Sequence, residues 1–118
     1  MFPSVSNQVT LIGRLGDQPE LFGKDRPGDR LHLGVARSFT KDGRREERVD
    51  WFTVICGSGL ARSCRQLAAG DLVAVAGALR TELREDRGEI CRFVEVEASS
   101  VEVLGGKALH DSPNNPRS

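Results

Sequence analysis

The residues best suited to chemistry in this chain are flat or planar. The only tryptophan, Trp51, lies in the run "VDWFTVIC" (49–56). That run is rich in β-branched and aromatic residues and reads as a strand, so its side chains alternate between two faces. Phe52 and Val54 share one face and are apolar, which fits an interior. Trp51 and Thr53 share the other, so the alternation turns Trp51 outward. An outward tryptophan offers a flat π-surface for something to lie on, or it covers a barrel end or a subunit contact; the pattern leaves these open. Phe39 ends the run "RLHLGVARSF" (30–39) where a strand meets a charged segment, as a second flat surface or as a core-edge residue.

The cations point the same way. Of the 17 basic residues, 14 are arginine. A guanidinium plane forks onto phosphates and also stacks on bases; a GC-rich genome would produce the same excess. Those placed to track a charged backbone are Arg37, Arg44, Arg45, Arg48, Arg80, Arg84, Arg87 and Arg92. Glu46, Glu47, Glu85 and Asp86 are interleaved with them and dilute the field, so a solvated, ion-paired surface competes for any single one. The formal net charge is zero, which argues against binding polyanions by bulk charge alone.

Other chemistries find no residue set. "GSG" at 57–59 does not fit G-x-S-x-G, and "GKDRPGD" lacks the GK[ST] of a phosphate loop. His32 and His110 are isolated. Cys56, Cys64 and Cys91 form no CxxC pair, so neither zinc nor a disulfide framework is indicated. No cofactor, metal or enzymatic activity is expected. With no charged-then-apolar leader and no apolar run of membrane length, a soluble, cytoplasmic protein that makes no membrane contact is expected.

The elements that must position these residues follow from pattern. At 118 residues the chain is the size of one domain. Strands are expected over 7–15, 30–39, 49–56, 71–83 and 90–104, the last curving or breaking near Ser99-Ser100. Segment 16–29 reads as a long loop, 40–49 as a charged connection turning at Asp42-Gly43, and 84–89 as a polar hairpin tip. Between the third and fourth strands, Leu60, Cys64 and Leu67 or Ala68 recur at helical spacing, and Gly70 is placed to end a helix. Gly77 interrupts the fourth strand and suggests a bulge or bend. Residues 107–118 have turn-forming composition and read as a disordered tail. Three strands, one short helix and two strands are what an all-β, five-stranded Greek-key barrel needs, the oligonucleotide/oligosaccharide-binding (OB) fold.

In linear order, these segments resemble the bacterial single-stranded DNA-binding protein (SSB) family. The opening "NQVTLIGRLGDQPEL" is similar to its first strand, with Gly13, Leu15, Pro19 and Glu20 in the G-x-L-x-x-x-P-E pattern. "LHLGVARSF" matches its second strand. "DWFTVICGSGLARSCRQLAAGDLVAVAGALRTEL" matches its third strand, helix, turn and "L-R-T" fourth strand, and "FVEVEASSVEVLGG" its closing strand. The resemblance covers about residues 7 to 106 and implies an OB fold over 1–106, a homo-oligomer (usually a tetramer, a dimer possible) and binding of single-stranded DNA without strong sequence preference.

The departures are specific. Of four aromatic positions on which the family stacks bases, Phe39 and Trp51 fill two. The others fall on Gly57 and Arg84, and the Arg84 guanidinium is a partial substitute or a solvated turn residue. The family's acidic tail is not expected here: 107–118 carries Lys107 and Arg117 against Asp111 and has no terminal phenylalanine. The expected function is protection of single-stranded DNA in replication, repair or DNA transfer, in the cytoplasm and associated with the nucleoid, with replication or primosome proteins as further partners. The rival expectation is an interaction module resembling the primosomal protein PriB, working mainly through protein partners.

Overall fold

A computed structural model describes residues 5–22 and 28–106. Its elements are β1 (Val9–Leu15), β2 (Glu20–Phe22), β3 (Gly28–Lys41), β4 (Arg44–Cys56), α1 (Ser58–Arg65), β5 (Leu72–Asp86) and β6 (Glu89–Gly105). β1 pairs with β5 along Val9–Arg14 and with β3 at Arg14 and Leu15. β5 pairs with β6, and β3 with β4, both antiparallel. A short parallel contact, Val54 with Val96 and Ile55 with Glu97, joins β4 to β6. Those pairings close a five-stranded barrel of the expected OB type, with the helix between β4 and β5.

Segment 16–29 is not loop throughout: β2 pairs with the start of β3, Glu20 opposite Arg30 and Phe22 opposite Gly28. The expectation for 107–118 falls outside the described residues.

Alternation decides what is inside. Leu31 and Leu33 of β3, Val54 and Cys56 of β4, Val73 and Val75 of β5, and Val96 and Ala98 of β6 fill the barrel, with Leu15 of β1. Cys64 and Leu67 close one end, and Leu60 packs against them. The helical spacing is therefore right, but α1 stops at Arg65 rather than running to Gly70. Beyond it the chain folds into a turn in which the Ala68 N–H donates to Asp71 Oδ2 and the Asp71 N–H to the Ala68 carbonyl. That turn carries Leu67 into the core and delivers the chain to β5. Arg65 Nε lies 3.7 Å from Oδ1 of the buried Asp29, tying the helix to the start of β3.

The bulge stands where Gly77 suggested. The β5–β6 register slips between Ala76 and Gly77, leaving Ser99 unpaired between Ser100 and Ala98. Its hydroxyl donates to the Ala76 carbonyl, 3.1 Å away. A Cβ on Gly77 would collide with the Glu97 carbonyl oxygen, so the close approach needs glycine.

The two charged connections are corrected. Segments 40–49 and 84–89 are mostly strand. Pairing runs to Lys41 opposite Arg44 and to Asp86 opposite Glu89. Each hairpin closes through two residues at positive φ, Asp42 (55°) with Gly43 (77°) and Arg87 (56°) with Gly88 (83°). Such type I′ turns follow the twist of the strands, so the ladder persists to the tip. The result is a barrel with two projecting arms. Both sides of an arm are wet, so the apolar alternation that marks a strand is lost there.

Candidate nucleic-acid interface

Trp51 stands on the outer side of β4, opposite Gly34 of β3, and is 61% exposed. Its six-membered ring lies over two glycines. A Cβ on Gly34 would lie 2.9 Å from both Cζ3 and Cη2, and one on Gly16 2.7 Å from Cζ3. Gly16 itself is fixed by its N–H donating to the His32 carbonyl. The indole is thus bedded on two glycines, and it borders two shallow clefts, one with Ile12 and Val49 and one with Asp17 and His32.

Phe39 is not beside Trp51. Counting along the β3–β4 ladder, Trp51 shares its side with Gly34, Val49, Ala36 and Arg45, whereas Phe39 shares the other with Glu46, Arg37, Arg48 and Asp50. The two aromatics therefore project from opposite sides of one ribbon. Phe39 is half-buried beneath cations: the guanidinium carbons of Arg37 and Arg48 lie 5.3 and 5.6 Å from its ring centroid. Arg37 also donates to Asp50, at 2.8 Å from Nε and 3.3 Å from Nη2. That hydrogen bond holds the Asp50 carboxyl below the usual carboxylate range and raises the Arg37 guanidinium.

The arginines divide into two groups. Three are matched by carboxylates: Arg37 with Asp50, Arg80 with Glu97, and Arg84 with Glu82 (2.7 Å) and Glu95 (2.9 Å). Among the described residues, Arg44, Arg45, Arg48, Arg87 and Arg92 make no ion pair. Only Arg87 of these lies in a turn, so the expectation that Arg44, Arg45 and Arg84 sit in loops is corrected: all three are on strands.

The two positions without an aromatic differ. Gly57 is exposed at the helix start, and a Cβ there would meet nothing within 4 Å. Arg84 instead lies over a ring of its own, Phe93, at 4.6 Å from the centroid. Sequence reasoning passed over Phe93, although Phe93, Glu95 and Glu97 alternate with the inward Val96 and Ala98 and so mark an outward aromatic.

Comparison with known proteins places this geometry. The Single-strand binding protein family matches residues 6–104. The chain belongs to that family. It is 33% identical over 105 residues to single-stranded DNA-binding protein 1 of Streptococcus pyogenes, across 86% of this chain and 79% of the relative. It is 35% identical to a single-stranded DNA-binding protein of Clostridium tetani, across 83% and 70%. Among solved structures, a Plasmodium falciparum SSB in complex with ssDNA superposes at a TM-score of 0.79 over 88% of this chain and 99% of its own, at 18% identity, a likeness of fold. A deletion mutant of the Thermus aquaticus single-stranded DNA binding protein superposes at 0.75, with 28% identity over 87% and 52%.

Proposed function

We propose that this chain binds single-stranded DNA without sequence preference, using Trp51 as a base-stacking platform and the arginines of the two arms as a track for the phosphates. The observation that carries the reading is Trp51 itself, a large aromatic held out from the barrel on a bed of two glycines. A single strand presents flat bases and a charged backbone, and a non-specific binder meets them with aromatic faces and a cationic groove. Arg44, Arg45, Arg48, Arg87 and Arg92 supply charge that no carboxylate among the described residues has taken, while Arg37, Arg80 and Arg84 contribute with carboxylates already on them, and Phe39 is a second ring. Family membership supports the same function. Residues 1–106 would be the binding domain, and replication, repair or DNA transfer in the cytoplasm the setting.

The reading includes a homo-oligomer. β1 pairs with β5 along one edge from Val9 to Arg14 but meets β3 only at its end, so Val9–Gly13 present an open strand edge that a second copy can extend. The second reading, an interaction module like the primosomal relative, draws on the arginines already matched by carboxylates. Anisotropy of a labelled oligo-dT separates them. The DNA-binding reading predicts tight binding at low salt that falls as salt rises, by about 0.7 in log K per unit log salt for each phosphate contact. Absence of binding at low salt contradicts it and leaves the protein-partner reading standing.

A further inference from the structure

The β5–β6 arm carries an aromatic that the family pattern does not mark. Phe93 is 39% exposed. Glu82 pairs with Phe93 and Arg84 with Cys91, so Arg84 and Phe93 are diagonal neighbours on one side of the arm, a spacing that long and aromatic side chains bridge. Arg84 spans it, its guanidinium 4.6 Å from the ring centroid and fixed by Glu82 and Glu95. With two carboxylates on it, this cation is poorly suited to phosphate, and what remains is a plane and a ring held in place.

Register puts that pair on Trp51's side. β4 and β6 run parallel where Ile55 pairs with Glu97. Trp51 lies four residues before Ile55 and Phe93 four residues before Glu97, so both project from the outer side as the two strands part. Between the strands is a shallow pocket lined by Ile55, Arg80, Thr81, Glu82, Glu95 and Glu97. Its carboxylates, Glu82 and Glu95 on Arg84 and Glu97 on Arg80, keep lone pairs that accept hydrogen bonds from the exocyclic amino groups of bases.

We infer that Phe93, backed by Arg84, is a further base-stacking platform, taking an unpaired base whose edge faces Glu82 and Glu95. It does across the hairpin what the family does at the position of Arg84. The inference rests on the single-stranded DNA reading, and the test separates the two. A Phe93→Trp, Trp51→Phe double variant places one fluorescent reporter at the subsite, while anisotropy of a labelled oligo-dC reports binding independently. Saturating oligonucleotide quenches the reporter, and Phe93→Ala or Phe93→Leu in the otherwise unchanged chain weakens binding about tenfold, as loss of one stacked base does, with the salt slope unaltered. Phe93→Leu keeps apolar cover on the arm and guards against misfolding. If the oligonucleotide binds but the reporter is silent and both variants bind like the parent, the subsite is overturned and DNA binding survives. If the parent binds no oligonucleotide, both fall.

Discussion

Trp51 and Gly34 face each other across the β3–β4 ladder, and the indole occupies the space a side chain at 34 would need. A methyl group there stands 2.9 Å from Cζ3 and from Cη2, and as close to Val49 Cγ1, closer than carbon atoms pack. Gly34→Ala therefore lifts the ring from its bed. The expected outcome is a shifted Trp51 emission in the free protein and weaker oligonucleotide binding, by up to the roughly 1–3 kcal/mol that one stacked base contributes. Because both changes act on the same ring, Gly34→Ala adds little to Trp51→Ala in a double-mutant cycle. Full additivity would mean that the glycine does not act through the indole.

Salt dependence distinguishes the two groups of arginines. Substituting alanine for Arg44, Arg45, Arg87 and Arg92 together flattens the slope of log K against log salt by about 0.7 for each cation that meets a phosphate. Arg80→Ala changes it less, because Glu97 already balances that charge. Titrations at three or more salt concentrations read both slopes.

Asp50 restrains Arg37, and the direction of its titration fixes what acid does. Its carboxyl is held down first by the hydrogen bond from Arg37. A depressed carboxylate keeps its partner through the ordinary carboxylate range and loses it only as pH falls further. Mild acid thus leaves Arg37 engaged, whereas Asp50→Asn releases it at neutral pH. That variant binds single-stranded DNA more tightly at low salt, with a slope steeper by about 0.7 if the freed guanidinium reaches a phosphate. An unchanged slope would remove Arg37 from the phosphate track.

The bulge at Gly77 is a matter of stability. Gly77→Ala drives a methyl group into the Glu97 carbonyl oxygen, and overpacking of this kind costs about 1–3 kcal/mol. Urea unfolding shows the loss. The affinity of the folded fraction is preserved, because no proposed contact residue moves.

The barrel was legible in the chain because alternation is enforced wherever one side of a strand is dry. Leu31, Leu33 and Val54 against His32 and Thr53 show it, and so does the outward Trp51. Gly77 announced its bulge for the same reason: interior geometry leaves few choices. The arms were not legible. Arg44 to Arg48 are wet on both sides, so their sequence carries no period and resembles a loop. The site was legible by residue type but not by arrangement. That Phe39 and Trp51 project from opposite sides of one ribbon depends on a ladder that stays in register to the Asp42-Gly43 turn, which composition does not reveal. Nor does it reveal that Arg80 and Arg84 carry partners while Arg44 and Arg45 carry none among the described residues, since carboxylates are interleaved with both.

The central claim is that Trp51 is a surface on which a base lies, and its own fluorescence tests it most directly. Titration with oligo-dT at low salt is expected to quench Trp51 strongly, to lose that quenching as salt rises, and to weaken by roughly 1–3 kcal/mol in a folded Trp51→Ala variant followed by anisotropy. An oligonucleotide that binds without altering the emission, together with a Trp51→Ala variant that binds as tightly as the parent, would contradict it.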